Sequence, residues 1–237
     1  MKIALVGYGK MGIAIEELAK EAGHTISYKI DKDNHAELTQ LNTTNTDIII
    51  EFSNPDIAAQ NILFCLTQNI PVVCGTTGWL SSWDEVKNAC NTTNGTFFYA
   101  SNYSIGVNLF FKINEYAAKL MAKQAYQVEI EEIHHTEKKD SPSGTAITLA
   151  EPILAARGMD KWVNNKAAHN ALGIISKREA KVPGTHTVAY TSKIDEISMT
   201  HIAHSRRGFA KGALAVAEWI VNTKAKGMLN MNDYLTI

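Results

Sequence analysis

Residues 2–31 constrain the fold more than any other stretch of the chain. Lys2–Val6 is a short apolar run that meets Gly7-Tyr8-Gly9-Lys10-Met11-Gly12. A helical pattern follows through Ile13, Ile15, Leu18 and Ala19, ending at Gly23. Strand, glycine turn and helix is the order a dinucleotide site needs: Gly7 would permit the tight turn, Gly9 the close approach of a pyrophosphate, and Gly12 the packing of helix on strand. The helix start adds free N–H groups and partial positive charge for the phosphates. A second strand, Thr25–Ile30, delivers Asp31 19 residues after Gly12, near the spacing of the acid that binds the adenosine ribose.

The alternation continues with a strand at Asp47–Phe52, a helix from Pro55 to Leu66, and strands at Pro71–Cys74 and Thr96–Tyr99. Parallel strands joined by crossover helices explain it most simply. The turns Ser53-Asn54-Pro55 and Gly75-Thr76-Thr77-Gly78 follow strand carboxyl ends, where ligands of an open α/β sheet lie. Gly75, Thr76 and Thr77 are therefore candidate cofactor contacts, a plain glycine turn being the alternative. A long helix is expected from Ser104 to Lys123. It carries Val107, Phe110, Phe111 and Met121 on one face and Leu109, Ile113, Tyr116 and Leu120 on another, so it should be buried nearly all round and join two domains.

Beyond Ala125 the chain reads as strands with longer connections, Gln127–His134, Thr185–Tyr190 and Asp195–His204, and a last helix after Arg206-Arg207-Gly208 returns to the first domain. The expectation is an α/β protein: an N-terminal Rossmann-type parallel sheet domain, residues 1–103 plus 208–237, and a second α+β domain with a mixed or antiparallel sheet, residues 104–207. Hydrophobic residues at 45% and a net charge of −1 fit a soluble globular chain of 237 residues and give no support for a nucleic-acid surface. Cys65, Cys74 and Cys90 match no zinc or disulfide spacing, and no apolar run could span a bilayer, so a reduced, cytoplasmic protein without a membrane partner is expected.

The densest chemistry lies at Glu132-Ile-His-His-Thr-Glu-Lys-Lys-Asp-Ser-Pro-Ser-Gly-Thr-Ala146. Ser143 reads as the N-cap of a helix running to Arg157, with Gly158 closing it. That helix start suits a carboxylate or phosphate, and Gly144 leaves the approach open. His134 and Lys138 are the candidates for proton chemistry, weighed against a solvated loop. Shared metal binding is disfavoured, because His134 and His135 point to opposite faces of an extended chain, as do His201 and His204.

With these pieces in order the chain resembles the dihydrodipicolinate reductases. The resemblance runs through Gly7–Gly12, Gly75–Gly78, Ser101-Asn-Tyr-Ser-Ile-Gly-Val-Asn108, the His-His-x-x-x-Lys-x-Asp-x-Pro-Ser-Gly-Thr-Ala segment, Pro183-Gly-Thr-His-Thr-Val188 and His201–Leu214. It implies His134 as proton donor, Lys138 as catalytic lysine, and His135, Gly144 and Thr145 as substrate contacts. It also implies nicotinamide contacts at Gly7, Tyr8, Gly9, Lys10, Met11, Gly12, Asp31, Gly75, Thr76, Thr77, Ala100, Ser101, Asn102 and Tyr103. The implied substrate is a cyclic imine dicarboxylate, the implied cofactor NADH or NADPH, and the implied assembly a homotetramer built through the second domain's sheet, with no metal. Asp31 followed by Lys32 suggests dual cofactor use with a modest NADH preference. Departures from many members are a first glycine loop one residue shorter, a divergent Ser176–Pro183 loop, and Thr185 where an acid is common. Hinges near Ala100–Ser104 and Arg206–Gly208 are also expected. Two other readings share the layout: a different dehydrogenase, which gives no reason for a dicarboxylate clamp, and a non-catalytic nucleotide sensor, which would need neither His134 nor Lys138.

Overall fold

The computed structural model describes residues 1–165, 169–205 and 207–236. The elements in chain order are β1 (Lys2–Val6), α1 (Lys10–Glu21), β2 (Thr25–Ile30), a 3-10 stretch (Lys32–Gln40), β3 (Ile48–Glu51), α2 (Pro55–Thr67), β4 (Val72–Cys74), α3 (Trp83–Thr92) and β5 (Thr96–Tyr99). There follow α4 (Ile105–Met121), β6 (Gln127–His134), α5 (Gly144–Arg157), β7 (Lys161–Asn164), β8 (Ala171–Arg178), β9 (Gly184–Thr191), β10 (Glu196–Ala203), α6 (Arg207–Thr223), β11 (Gly227–Leu229) and α7 (Met231–Leu235). The chain divides into two compact units, Met1–Ser104 with Arg207–Ile237, and Ile105–Arg206. Arg206, part of one expected hinge, lies outside the described residues.

In the first unit six parallel strands run in the order β11-β5-β4-β3-β1-β2. Successive side chains of a strand point to opposite faces, and both faces here are covered. Ile3, Leu5, Ile48 and Ile50 pack with Ile15, Ala213 and Ile220 of α1 and α6 on one side. Ala4, Val6, Ile49 and Val72 pack with Ile62, Cys65 and Val86 of α2 and α3 on the other. Double coverage is why these strands read as unbroken apolar runs, each buried Ile or Leu contributing roughly 1.5–3 kcal/mol. The strand order reverses between β1 and β3, so the segments leaving those two strands diverge and open a crevice at their carboxyl ends.

The second unit is a mixed sheet of order β10-β9-β6-β8-β7, antiparallel from β10 to β6 and parallel from β6 to β7. One face is packed: Val128, Ile130, Ile174, Val188 and Tyr190 meet Leu149 and Ile153 of α5 and Phe110 of α4. Buried Asn114 of α4 donates to the carbonyl of Leu149 at 2.8 Å, tying the two helices together.

Two expectations fail here. Helix α4 is not buried all round, for Leu109, Ile113, Tyr116 and Leu120 are 43%, 56%, 66% and 58% exposed. A helix lying on one layer buries one stripe, and this second apolar stripe faces away from it. The segment from Ser176 is not all loop either, because Ser176–Arg178 completes β8. Among the described residues the three cysteines are buried free thiols, and no helix is long and apolar enough to cross a membrane.

Candidate functional site

The glycine turn after β1 has the geometry its spacing predicts. Gly7 has φ of 91°, and a Cβ there would stand 2.1 Å from the carbonyl oxygen of Phe52. A Cβ on Gly12 would stand 2.5 Å from the Gly7 carbonyl oxygen, so α1 can close on the turn only without one. At Gly9 an added Cβ would meet no protein atom within 4 Å, and no side chain caps the helix start behind it. The N–H groups of the first turn thus face an open approach, which fits a pyrophosphate. Lys10 is exposed and Met11 half-buried against the core. Tyr8 hydrogen-bonds Glu16, whose carboxyl is held down at about 2 by Lys20 first, with Tyr8 and Lys29 adding to it.

Gly7, Gly9, Asp31, Lys32, Ser53 and Asn54 line one cavity of about 180 Å³ at the crevice between β1 and β3. Asp31 is exposed at the end of β2, where its Oδ1 accepts the N–H of Lys32 at 2.9 Å and the Asn34 side chain accepts its own N–H at 2.8 Å. After β4, a Cβ on Gly75 would collide with the Phe52 ring at 2.1 Å. Thr76 is buried with its Oγ1 unpartnered among the described residues, while Thr77 is exposed. Of the segment after β5, Ser101 is exposed and Asn102 half-buried, its Oδ1 accepting the N–H of Ser104 at 2.8 Å. Ala100 and Tyr103 are buried, and the Tyr103 hydroxyl donates to the Cys74 carbonyl at 2.7 Å. The Tyr103 side chain is therefore core packing, not an available cofactor contact.

In the second unit the chemistry grows out of the packed sheet face. Along β6 the inward positions are Val128, Ile130, Glu132 and His134, and along β9 they are Gly184, His186, Val188 and Tyr190. The antiparallel register sets Glu132 directly opposite His186, so the apolar face turns polar at its carboxyl end. Glu132 is fully buried. It accepts the Ser143 N–H at 3.0 and 3.1 Å and the Ser176 hydroxyl at 2.8 Å, with Arg178 Nη1 at 3.7 Å. Burial alone would raise its pKa, but the nearby His186 and the hydrogen bonds from Ser143 and Ser176 outweigh that and hold it at about 2. His134 Nδ1 lies 3.5 Å and His186 Nε2 3.7 Å from the same carboxylate oxygen, and the two rings meet edge-on at 5.0 Å. Burial first, then His186, Lys138 and Arg178, push the His134 pKa down to about 4 against the pull of Glu132.

Lys138 sits in the connection from β6 to α5, its Nζ 2.8 Å from both carboxylate oxygens of Asp140. Burial works against ionisation of Asp140, but Lys138 keeps its carboxyl below the usual range. The connection is anchored by Arg178, which donates to the carbonyls of Asp140 at 2.6 Å and Lys138 at 3.4 Å. His135 is half-buried and its carbonyl accepts the Lys138 N–H at 3.1 Å. Ser143 caps α5, its Oγ accepting the Ala146 N–H at 3.2 Å. Gly144 is exposed with nothing within 4 Å of an added Cβ, and Thr145 is half-buried beside it. The start of α5 therefore presents N–H groups and partial positive charge to an open side.

Residues 1–103 match the family model for the dihydrodipicolinate reductase N-terminus, and residues 106–235 match that for its C-terminus. This chain belongs to the dihydrodipicolinate reductase family. It is 47% identical to the 4-hydroxy-tetrahydrodipicolinate reductase of Christiangramia forsetii, over 100% of this chain and 98% of that one. It is 31% identical to the 4-hydroxy-tetrahydrodipicolinate reductase of Lawsonia intracellularis, over 99% of each. In fold it is similar to the dipicolinate-bound dihydrodipicolinate reductase of Paenisporosarcina sp. TG-14, with a TM-score of 0.79 at 21% identity over 97% of each chain.

Glu132, His186, Asp140 and Arg178 join the site only in the folded chain. The first two had a usable signal, since the alternation that buries Val128 and Ile130 also buries Glu132, and that of Val188 and Tyr190 also buries His186. Arg178 had none, because its partners are backbone carbonyls in another segment. His201 takes a different place, stacked on Phe110 with ring centroids 6.2 Å apart. Glu132, His134 and His186 offer ligand-type atoms within 4.8 Å of one another. The Glu132 carboxylate, however, is already engaged by Ser143 and Ser176 beside the permanent cation of Arg178, an environment built for hydrogen bonding.

Proposed function

We propose that this chain reduces 4-hydroxy-tetrahydrodipicolinate, or its dehydrated form, to tetrahydrodipicolinate with NADH or NADPH, within the diaminopimelate route to lysine. One observation carries the reading: a single buried carboxylate, Glu132, contacts both His134 and the capped start of α5, so a proton-bearing ring and an anion site belong to one rigid group. The names of the curated relatives support the same substrate.

The open N-terminus at Gly144 and Thr145 takes one substrate carboxylate, with His135 and Lys138 contributing contacts to the ring and its charge. When bound at the turn Gly7–Gly12 and Asp31, the nicotinamide cofactor supplies the hydride. Lys138 stabilises the negative charge that develops toward the ring nitrogen. His134 gives the proton. With its pKa at about 4 in the free protein, His134 is neutral near pH 7. A dicarboxylate arriving beside it offsets Lys138 and Arg178, two of the lesser causes that hold the value down, and so raises the His134 pKa in the substrate complex. A homotetramer assembled through the second unit's sheet belongs to the same proposal, supported by Ile202 of β10, 56% exposed. Sedimentation at micromolar concentration should give four times 26.1 kDa; a monomer refutes that assembly.

His134→Ala and Lys138→Ala should each lower kcat about a hundredfold or more while the dissociation constant for NADH stays unchanged. Near-normal turnover of freshly made substrate by both variants overturns the assigned roles.

A further inference from the structure

We propose that Glu132 is the positioning residue of this site: its carboxylate fixes His134 in the Nδ1–H tautomer, so that Nε2 is the nitrogen that carries the reaction proton. The inference rests on His134 being the proton donor, and it assigns a role to a residue that touches no substrate.

Three features of the geometry lead there. Nδ1 of His134 is buried, has no hydrogen-bond partner among the described residues, and lies 3.5 Å from Oε2 of Glu132. A lone pair aimed at an ionised oxygen is repelled, whereas an N–H aimed at it is attracted, so the hydrogen of the neutral ring belongs on Nδ1. The opposite nitrogen borders Gly184, the residue level with His134 on β9, where a Cβ would stand 3.1 Å from Nε2, so the missing side chain leaves that nitrogen room. The ring is thus oriented by the charge facing Nδ1, while Nε2 is left free of a side chain from Gly184. Once Nε2 is protonated the ring is a cation paired with Glu132, the same logic by which a buried carboxylate orients the histidine of a hydrolytic triad.

Glu132 does not act on His134 alone. His186, opposite it on β9, puts Nε2 3.7 Å from the same oxygen and 3.2 Å from the Ser143 hydroxyl. Other charges facing the pair are Arg178 from β8 and, in the connection to α5, Lys138 held by Asp140. Glu132 supplies the anion of the group on the β6 side, and its bonds to the Ser143 N–H join the proton-bearing ring to the helix start. A purely structural acceptor would not need its charge, since a neutral amide oxygen could take the Ser143 and Ser176 hydrogen bonds.

That difference makes Glu132→Gln the informative variant, because it keeps the acceptor but presents an N–H₂ group that favours the wrong tautomer. We expect kcat to fall about tenfold or more and the pH above which kcat declines to move down by about one unit, with a smaller change in KM for the ring dicarboxylate. Glu132→Asp should recover part of the pH shift. Solid-state 15N NMR of the histidine-labelled wild type, assigned with His134→Asn and His186→Asn, should show His134 protonated at Nδ1 near neutral pH. An Nε2–H tautomer in the wild type overturns the proposal, even if Glu132→Gln fails to fold. So does a folded Glu132→Gln with wild-type kcat and pH profile while His134→Asn is inactive. Full turnover by His134→Asn would instead refute the proton-donor reading itself.

Discussion

Asp31 is a residue whose type set an expectation and whose surroundings sharpen it. Its Oδ1 is committed to the Lys32 N–H, which holds the carboxylate at the mouth of the cavity shared with Gly7 and Gly9. A ribose 2′-hydroxyl can donate to that carboxylate, whereas a 2′-phosphate would meet like charge there, offset by the exposed Lys32. Asp31→Ala should move the ratio of kcat/KM toward NADPH. The same change removes the cap of the following 3-10 stretch, so part of the NADH loss will come with about 1 kcal/mol of lost stability. Paired kcat/KM values with both cofactors are the check, and an unchanged ratio would place the ribose elsewhere. Residue identity singles out His134, Lys138 and Asp31 as candidates. It was silent for Asp140 and Arg178, whose roles depend on which backbone and side-chain groups the fold sets beside them.

At the level of elements, the start of α5 concentrates the most polar contacts of the candidate site in the fewest residues. Ser143 caps the helix with its hydroxyl and offers its N–H to Glu132. Ser143→Ala keeps the N–H but loses the hydroxyl contacts to Ala146 and His186. Stability should drop by about 1 kcal/mol, and KM for the ring dicarboxylate should rise several-fold while KM for NADH holds. Urea denaturation and steady-state kinetics would separate the two effects; an unchanged substrate KM would mean that the carboxylate binds away from this helix. The N-cap signature made this element legible from sequence, and so did the strand–glycine–helix order of β1 and α1. Strand β8 was not legible, because it is buried at every position only over Ala171–Ile174 and ends in Ser176-Lys177-Arg178, which reads as polar loop.

For the whole molecule, two buried groups set a pH dependence of stability with one sign. The His134 pKa falls from 6.5 to about 4 on folding, so its contribution is full above pH 6.5 and is lost as pH falls toward 4. The Glu132 pKa falls from 4.5 to about 2, so its contribution is full above 4.5 and is lost as pH falls toward 2. Unfolding free energy should therefore decline below about pH 6.5, by on the order of 1 kcal/mol per pH unit for each group titrating. Urea midpoints at pH 8, 6 and 5 measure it, and His134→Gln should flatten the upper part of the slope. A wild-type midpoint that does not change between pH 7 and 5 would contradict the burial of His134.

The periodicity of the chain determined the parallel sheet of the first unit, because strands covered on both faces must be apolar at every position and glycine must stand where β1 turns into α1. It also marked His134, Lys138 and the start of α5 as one segment. Two things were left for the tertiary structure. The first is which side of α4 is covered, since apolar periodicity marks the faces able to pack and not the layer that packs on them. The second is the pairing of Glu132 with His186 and the approach of Arg178. These follow from the register between β6 and its neighbours β9 and β8, and register is set by strand pairing between segments some 40 to 60 residues apart, which no local pattern encodes.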